Sequence, residues 1–213
     1  MNRIKSFFKG STHFYWALCL PVILVMYYIP ERVVVNNYFP TQTALDQAIP
    51  FVSQFVVFYL SWFPLLAFTG FWLLFRDGDA FRRYMWFLTA AYALSIVFFL
   101  AFPNGQDLRP ASFAHDDIFT RLCAGIYAAD TNTNVLPSLH VVASFGVVFA
   151  FFDTPTLRSP VLRAAAVVLA LLISASTVLI KQHAVMDLVF SAAMVIILYF
   201  PIYRFMKKKM KNR

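Results

Sequence analysis

Three features of the sequence predict an all-α fold: a polytopic membrane protein, a six-transmembrane-helix bundle with a short interfacial helix between spans 3 and 4. Hydrophobic residues supply 61% of the chain and charged residues only 13%, a balance that suits a bilayer rather than a soluble core. Apolar runs of ~20 residues recur, the length a helix needs to cross the hydrocarbon layer. Lysine and arginine collect at the ends of those runs and not within them. The 213 residues suit one compact bundle, read as a single domain over 1–213.

Each element follows from the chain in order. Met1 to Gly10 is a basic leader with Arg3, Lys5 and Lys9. Phe14 to Ile29 is the first span. No small-x-small cleavage site follows it, and Tyr27-Tyr28 reads as an interfacial border, so it is expected to stay uncleaved. Glu31 to Ala48 is a polar connection. Pro50 to Phe75 is the second span, with Pro64 predicting a kink or tilt. Arg76 to Arg83 reads as a short charged turn, and Tyr84 to Phe102 as the third span. Pro103 to Leu136 is the longest polar segment. Within it Ile118, Leu122 and Ile126 recur every fourth residue, which predicts a short helix lying on the membrane surface. Ser138 to Phe152 is the fourth span, short enough to begin below the headgroups. Val161 to Ile180 and His183 to Phe205 are the fifth and sixth, and Lys207 to Arg213 is a basic tail.

The charges orient this layout. With both termini cytoplasmic, the opposite side holds only Arg32, Arg109, Arg121 and Lys181; every other lysine and arginine falls inside. The net charge of +8 therefore reflects topology and contact with anionic lipid, and no nucleic-acid partner is expected. Cys19 and Cys123 form neither a metal spacing nor a disulfide framework.

Ionisable groups in or beside a span are costly, which makes them functional suspects. Ser176 to Asp187 carries Lys181, His183 and Asp187 between apolar flanks. On a helix His183 and Asp187 share one face, so the carboxylate can fix one ring N–H and leave the other nitrogen free to attack. The bland alternative is a His–Asp pair that only ties two helices together. Two further segments reach the same membrane face: Arg109-Pro110 in the long loop, and Pro137-Ser138-Leu139-His140 at a helix start.

Together these groups suit phosphoryl transfer through a covalent intermediate. His183, oriented by Asp187, attacks phosphorus; Arg109, Lys181 and Ser138 hold the phosphoryl oxygens; His140 serves as acid and base. Lys181 at a span end also reads as a snorkelling anchor. A metal site built on His140, His183 and Asp187 with His115, Asp116 or Asp117 is disfavoured, because the neighbouring cations repel a metal and attract an anion. No cofactor is expected.

These segments resemble the type 2 phosphatidic acid phosphatase superfamily, whose signature is K-x6-R-P, then P-S-G-H, then S-R-x5-H-x3-D. The third motif matches at Ser176, His183 and Asp187, with Thr177 in place of arginine. The second matches at Pro137, Ser138 and His140, with Leu139 in place of glycine. The first matches at Arg109 and Pro110, with Phe102 in place of lysine. The resemblance implies that His183 is the nucleophile, Asp187 its partner and His140 the acid/base, with Arg109 and Ser138 as phosphate ligands; Ser176 is counted in the same phosphate-binding set. Lys181 is inferred to restore a missing cation. The departures look more like the branch containing inositol phosphorylceramide synthases and related bacterial proteins.

The function expected is a metal-independent membrane phosphatase acting on a phosphorylated lipid, either a lipid monophosphate or a polyprenyl diphosphate. It would work on the non-cytoplasmic side, with the plasma membrane as the expected location. One rival is a phosphotransferase that passes the phosphoryl group to an alcohol such as inositol. Another is a non-catalytic transporter or scaffold of the same fold.

Overall fold

The computed structural model describes residues 12–33 and 37–208. The basic leader and the end of the basic tail lie outside them. A 3-10 turn, Thr12–Leu18, leads into α1 (Cys19–Val33). The short strand β1 (Phe39–Pro40) and helix α2 (Ala44–Ala48) follow, then α3 (Val56–Arg76) and α4 (Gly78–Ala101). Strand β2 (Asn104–Gly105) precedes α5 (Ile118–Ala129), α6 (Leu139–Asp153), α7 (Pro160–Leu179) and α8 (Val185–Tyr199). The last helix continues through a wider turn, Phe200–Met206.

Four helices among the described residues are long and apolar enough to cross a membrane: Ser53–Arg76, Gly78–Ala101, Pro160–Leu179 and Val185–Met206. The other two expected spans are shorter apolar helices, Thr12–Tyr28 and Leu139–Asp153. Large apolar side chains such as Phe71, Phe75, Ile196 and Ile197 stand exposed on the outer helix faces, a surface compatible with lipid contact. Lipid tails are as apolar as leucine, so the bundle interior depends on close fit more than on hydrophobic transfer. Helix α6 supplies that fit with Ala143, Gly146 and Ala150. A Cβ added at Gly146 would lie 2.7 Å from the Phe87 ring of α4, so only glycine admits that approach.

One expectation changes at the end of the bundle where α3 meets α4. Arg76 to Arg83 is not a turn, because α4 already starts at Gly78. The Asp77 carboxylate accepts from Ala80 N at 3.0 Å and caps the helix there. The extended helix carries Arg83 onto Asp153 at the end of α6, 2.6 Å away, and Lys207 reaches the same carboxylate at 2.6 Å. Arg83, which read as part of a charged turn, thus joins a cluster that ties α4, α6 and the end of the last described helix. Helix α3 continues through Pro64.

The opposite end is closed by loops. β1 and β2 pair in parallel, Phe39 beside Asn104. Buried Asn104 organises the approach to α6: its Oδ1 accepts from Val135 N (3.0 Å) and Leu136 N (2.8 Å), and its Nδ2 donates to Leu136 O (3.2 Å). Helix α5 forms where the fourfold spacing predicts it, capped by Asp117 on Thr120 N (2.8 Å). It packs Cys123 against Val56 and Tyr59 of α3.

Candidate active site

The segment after α7 is shaped by a left-handed residue. Lys181 has φ 56°, Lys181 N donates to Val178 O (3.0 Å) and Gln182 N to Thr177 O (2.9 Å). This is a Schellman cap, a position that usually takes glycine. His183 N also donates to Thr177 O, at 3.0 Å. The carbonyl of Thr177, where the family pattern has arginine, therefore folds Gln182 and His183 back over the end of α7.

Asp187, in the first turn of α8, does two things with one oxygen. Its Oδ2 accepts from Ala184 N at 2.9 Å and meets His183 Nδ1 at 3.2 Å. The imidazole is thereby oriented, and its Nε2 is left for chemistry. Ser191, one turn on, accepts from Ser138 N at 2.8 Å and donates to Asp187 O at 2.6 Å. It fastens the start of α6 to α8. Ser191 is not in the expected site set, although a serine four residues after Asp187 in an apolar helix marks the same helix face.

His140, on the first turn of α6, brings its ring centroid to 6.2 Å from that of His183. Tyr59 stacks on it at 4.2 Å and Trp62 lies at 4.4 Å, both from α3. Its Nε2 is buried and makes no hydrogen bond among the described residues. The Ser138 hydroxyl is likewise buried and bonds nothing there, although Ser138 stands at the N-cap of α6. Two imidazoles thus face each other, and the Ser138 hydroxyl stands at the start of the helix that carries one of them.

The other expected residues divide. Arg109 comes close but is turned toward the loops: Nη1 donates to Tyr127 O (3.3 Å) and Asp130 O (3.0 Å), and Nη2 to Thr131 O and Gln182 Oε1 (both 2.5 Å). Its guanidinium lies over the Tyr127 ring at 4.8 Å. Lys181 departs from the expectation of a phosphate ligand. Its Nζ donates to Asp46 O (2.7 Å) and Ile49 O (2.6 Å), carbonyls of α2 and the residue just after it. Burial pulls this ammonium below the ordinary lysine range, and the Asp46 carboxylate acts in the opposite sense. Lys181 is not among the residues that line the cavity beside the histidines. Ser176 also departs: inside α7, its hydroxyl is spent on Ile173 O at 2.6 Å.

Asp46 was hidden in what read as a polar connection. Its Oδ1 accepts from Val185 N at 2.7 Å, at the first turn of α8. It is completely buried and completes the frame that holds residues 181–185.

A cavity of about 570 Å³ leads away from the histidines. Its polar end is made by His140, Gln182, His183 and Asn134, and its apolar walls by Leu24, Tyr59, Leu60, Trp62, Phe63, Leu122 and Ile126. It lies between α1, α3 and α5, and the size is that of a small-molecule site.

An α-helical bundle with four helices long and apolar enough to cross a membrane, and a carboxylate-held histidine facing a second histidine, has the makings of a phosphate-ester enzyme. The sequence model of the PAP2 superfamily matches residues 104–211, just over half of the chain, and the chain belongs to that superfamily. Membership supports phosphatase-type activity on phosphate esters. No curated protein and no solved structure matches.

Proposed function

We propose that this chain, acting as one domain, is a membrane lipid phosphatase. It hydrolyses a lipid phosphomonoester or a polyprenyl diphosphate through a phosphohistidine intermediate. The observation that carries the reading is the pair of imidazoles, 6.2 Å apart, at the polar end of a cavity with apolar walls. That spacing leaves room for a phosphoryl group between the rings, while the walls suit a hydrocarbon chain.

His183 Nε2 forms a bond to phosphorus as the bond from phosphorus to the lipid oxygen breaks. The electron pair leaves on that oxygen, and His140 gives it a proton. Water then loses a proton to His140, its oxygen bonds to phosphorus, and the N–P bond breaks to release phosphate and restore His183. The spare Ser138 hydroxyl and the free N–H groups at the start of α6 face the charge on the phosphoryl oxygens. Asp187 holds the attacking ring. Lys181 and Ser176 act as frame, given their bonds to backbone carbonyls.

Six crossings with cytoplasmic termini complete the reading, the two shorter apolar helices crossing with the help of their flanking segments. The site then faces the non-cytoplasmic side of a plasma membrane. The charge distribution supports this orientation.

The test is phosphate release by the purified chain from a panel of lipid phosphates, with His183→Ala and His140→Ala beside it. Each substitution is expected to abolish turnover, and EDTA to leave the wild type active. Undiminished release by either variant sinks the reading. Phe102, Leu139 and Thr177, which replace family residues, favour a second reading: transfer of the phosphoryl group to an alcohol, as in the inositol phosphorylceramide synthase-like branch. A new lipid product formed when inositol or another alcohol is supplied would establish it. Free phosphate as sole product would exclude it.

A further inference from the structure

The family pattern supplies cations that this chain lacks at Phe102 and Thr177, and Lys181 is engaged elsewhere. Gln182 stands where they would be missed. It is 2% exposed, it neighbours His183 in the chain, and it lines the cavity with both histidines.

Its orientation is set by chemistry. A guanidinium has only donors, so the Gln182 atom that meets Arg109 Nη2 at 2.5 Å must be the carbonyl oxygen. The amide nitrogen therefore points the other way, where it is buried and makes no hydrogen bond among the described residues. A buried amide N–H2 without a partner is costly, and a ligand oxygen satisfies it. The backbone around it is fixed: Gln106 Nε2 donates to Lys181 O (3.0 Å) and Gln182 O (3.3 Å), and Gln182 N to Thr177 O. Arg109 itself is not among the residues lining the cavity. Its charge reaches the site by polarising the amide, which strengthens the N–H as a donor.

We propose that Gln182 is a phosphate-binding residue, its side-chain amide donating to a non-bridging oxygen of the phosphoryl group, and that Arg109 is a positioning residue acting through it. This rests on the phosphatase reading above. The ligand class is a tetrahedral or trigonal-bipyramidal oxyanion.

The discriminating variant is Gln182→Glu. It keeps an oxygen for Arg109 and the size of the side chain, but turns the donor into a negative acceptor. The full chain in detergent should keep its melting temperature, bind orthovanadate at least tenfold more weakly by calorimetry, and lose at least a hundredfold in kcat/KM. Unchanged vanadate affinity in Q182E, or a wild-type chain that binds no vanadate, overturns the proposal. Wild-type vanadate binding without turnover of any phosphate ester would sink the phosphatase reading alone. Arg109→Ala and Gln182→Ala supply a cycle. Their combination should cost no more than about threefold beyond the worse single change, because one acts through the other. Effects that multiply would mean that Arg109 touches phosphate independently, which also overturns it. Should Arg109→Ala fail to fold, the Q182E comparison still decides.

Discussion

Lys181 shows how one backbone torsion decides a side chain's role. A lysine in the left-handed region costs about 1–2 kcal/mol relative to its ordinary conformations. Two hydrogen bonds from its ammonium to Asp46 O and Ile49 O offset this, each worth about 1.5–3 kcal/mol. We expect Lys181→Met to lower the stability of the detergent-solubilised protein by roughly 2 kcal/mol or more. Competitive inhibition by phosphate should stay within about threefold of wild type, since no contact with the anion is removed. A tenfold weaker inhibition constant would restore Lys181 to the phosphate-binding set. Sequence spacing put Lys181 two residues before His183. It did not show the sign of φ, which sets where the ammonium points. Gln182 escaped notice for a related reason: an amide next to a histidine carries no signal until its carbonyl is seen to be taken by an arginine.

At the level of the element, α5 combines two duties. Its Cys123 face packs on α3, and its Leu122, Gly125 and Ile126 form part of the cavity wall. A Cβ added at Gly125 meets nothing within 4 Å, so a larger residue enters open space. Gly125→Phe should therefore fold at least as well as wild type, as glycine costs a helix about 1 kcal/mol. It should raise KM for the lipid phosphate by roughly tenfold while hydrolysis of small, soluble p-nitrophenyl phosphate continues. Equal loss on both substrates would show that α5 does not line the route of the hydrocarbon chain. The existence of α5 was legible from its fourfold spacing. The start of α4 was not, because Asp77, Asp79, Arg82 and Arg83 look like a solvated turn until Asp153, seventy positions later, is brought beside Arg83. Short-range pattern finds helices; it does not find the partner that makes a charge tolerable inside one.

For the whole molecule, the division of labour runs along α6. One end holds His140, and the other holds Asp153, ~20 Å away at 1.5 Å per residue. The Asp153 side chain is 3% exposed and serves both Arg83 and Lys207. Asp153→Ala should destabilise the protein by about 3–5 kcal/mol, the usual cost of breaking a buried ion pair. Thermal unfolding in detergent measures this. A midpoint unchanged from wild type would show that the cluster contributes little. The long apolar helices were readable from composition, and the sequence motifs singled out the segments that carry Arg109, His140 and His183. The loop scaffold was not. Asn104, Asp46 and Ser191 work through backbone groups of distant segments, and nothing in the sequence names a carbonyl.

The double fastening of α6 has a further consequence. Ser191 pins its first turn to α8, and Asp153 moors its last, so the strut that carries His140 is tied at both ends, the first of them to the helix that orients His183. The apolar walls around the cavity belong to other helices, α1, α3 and α5.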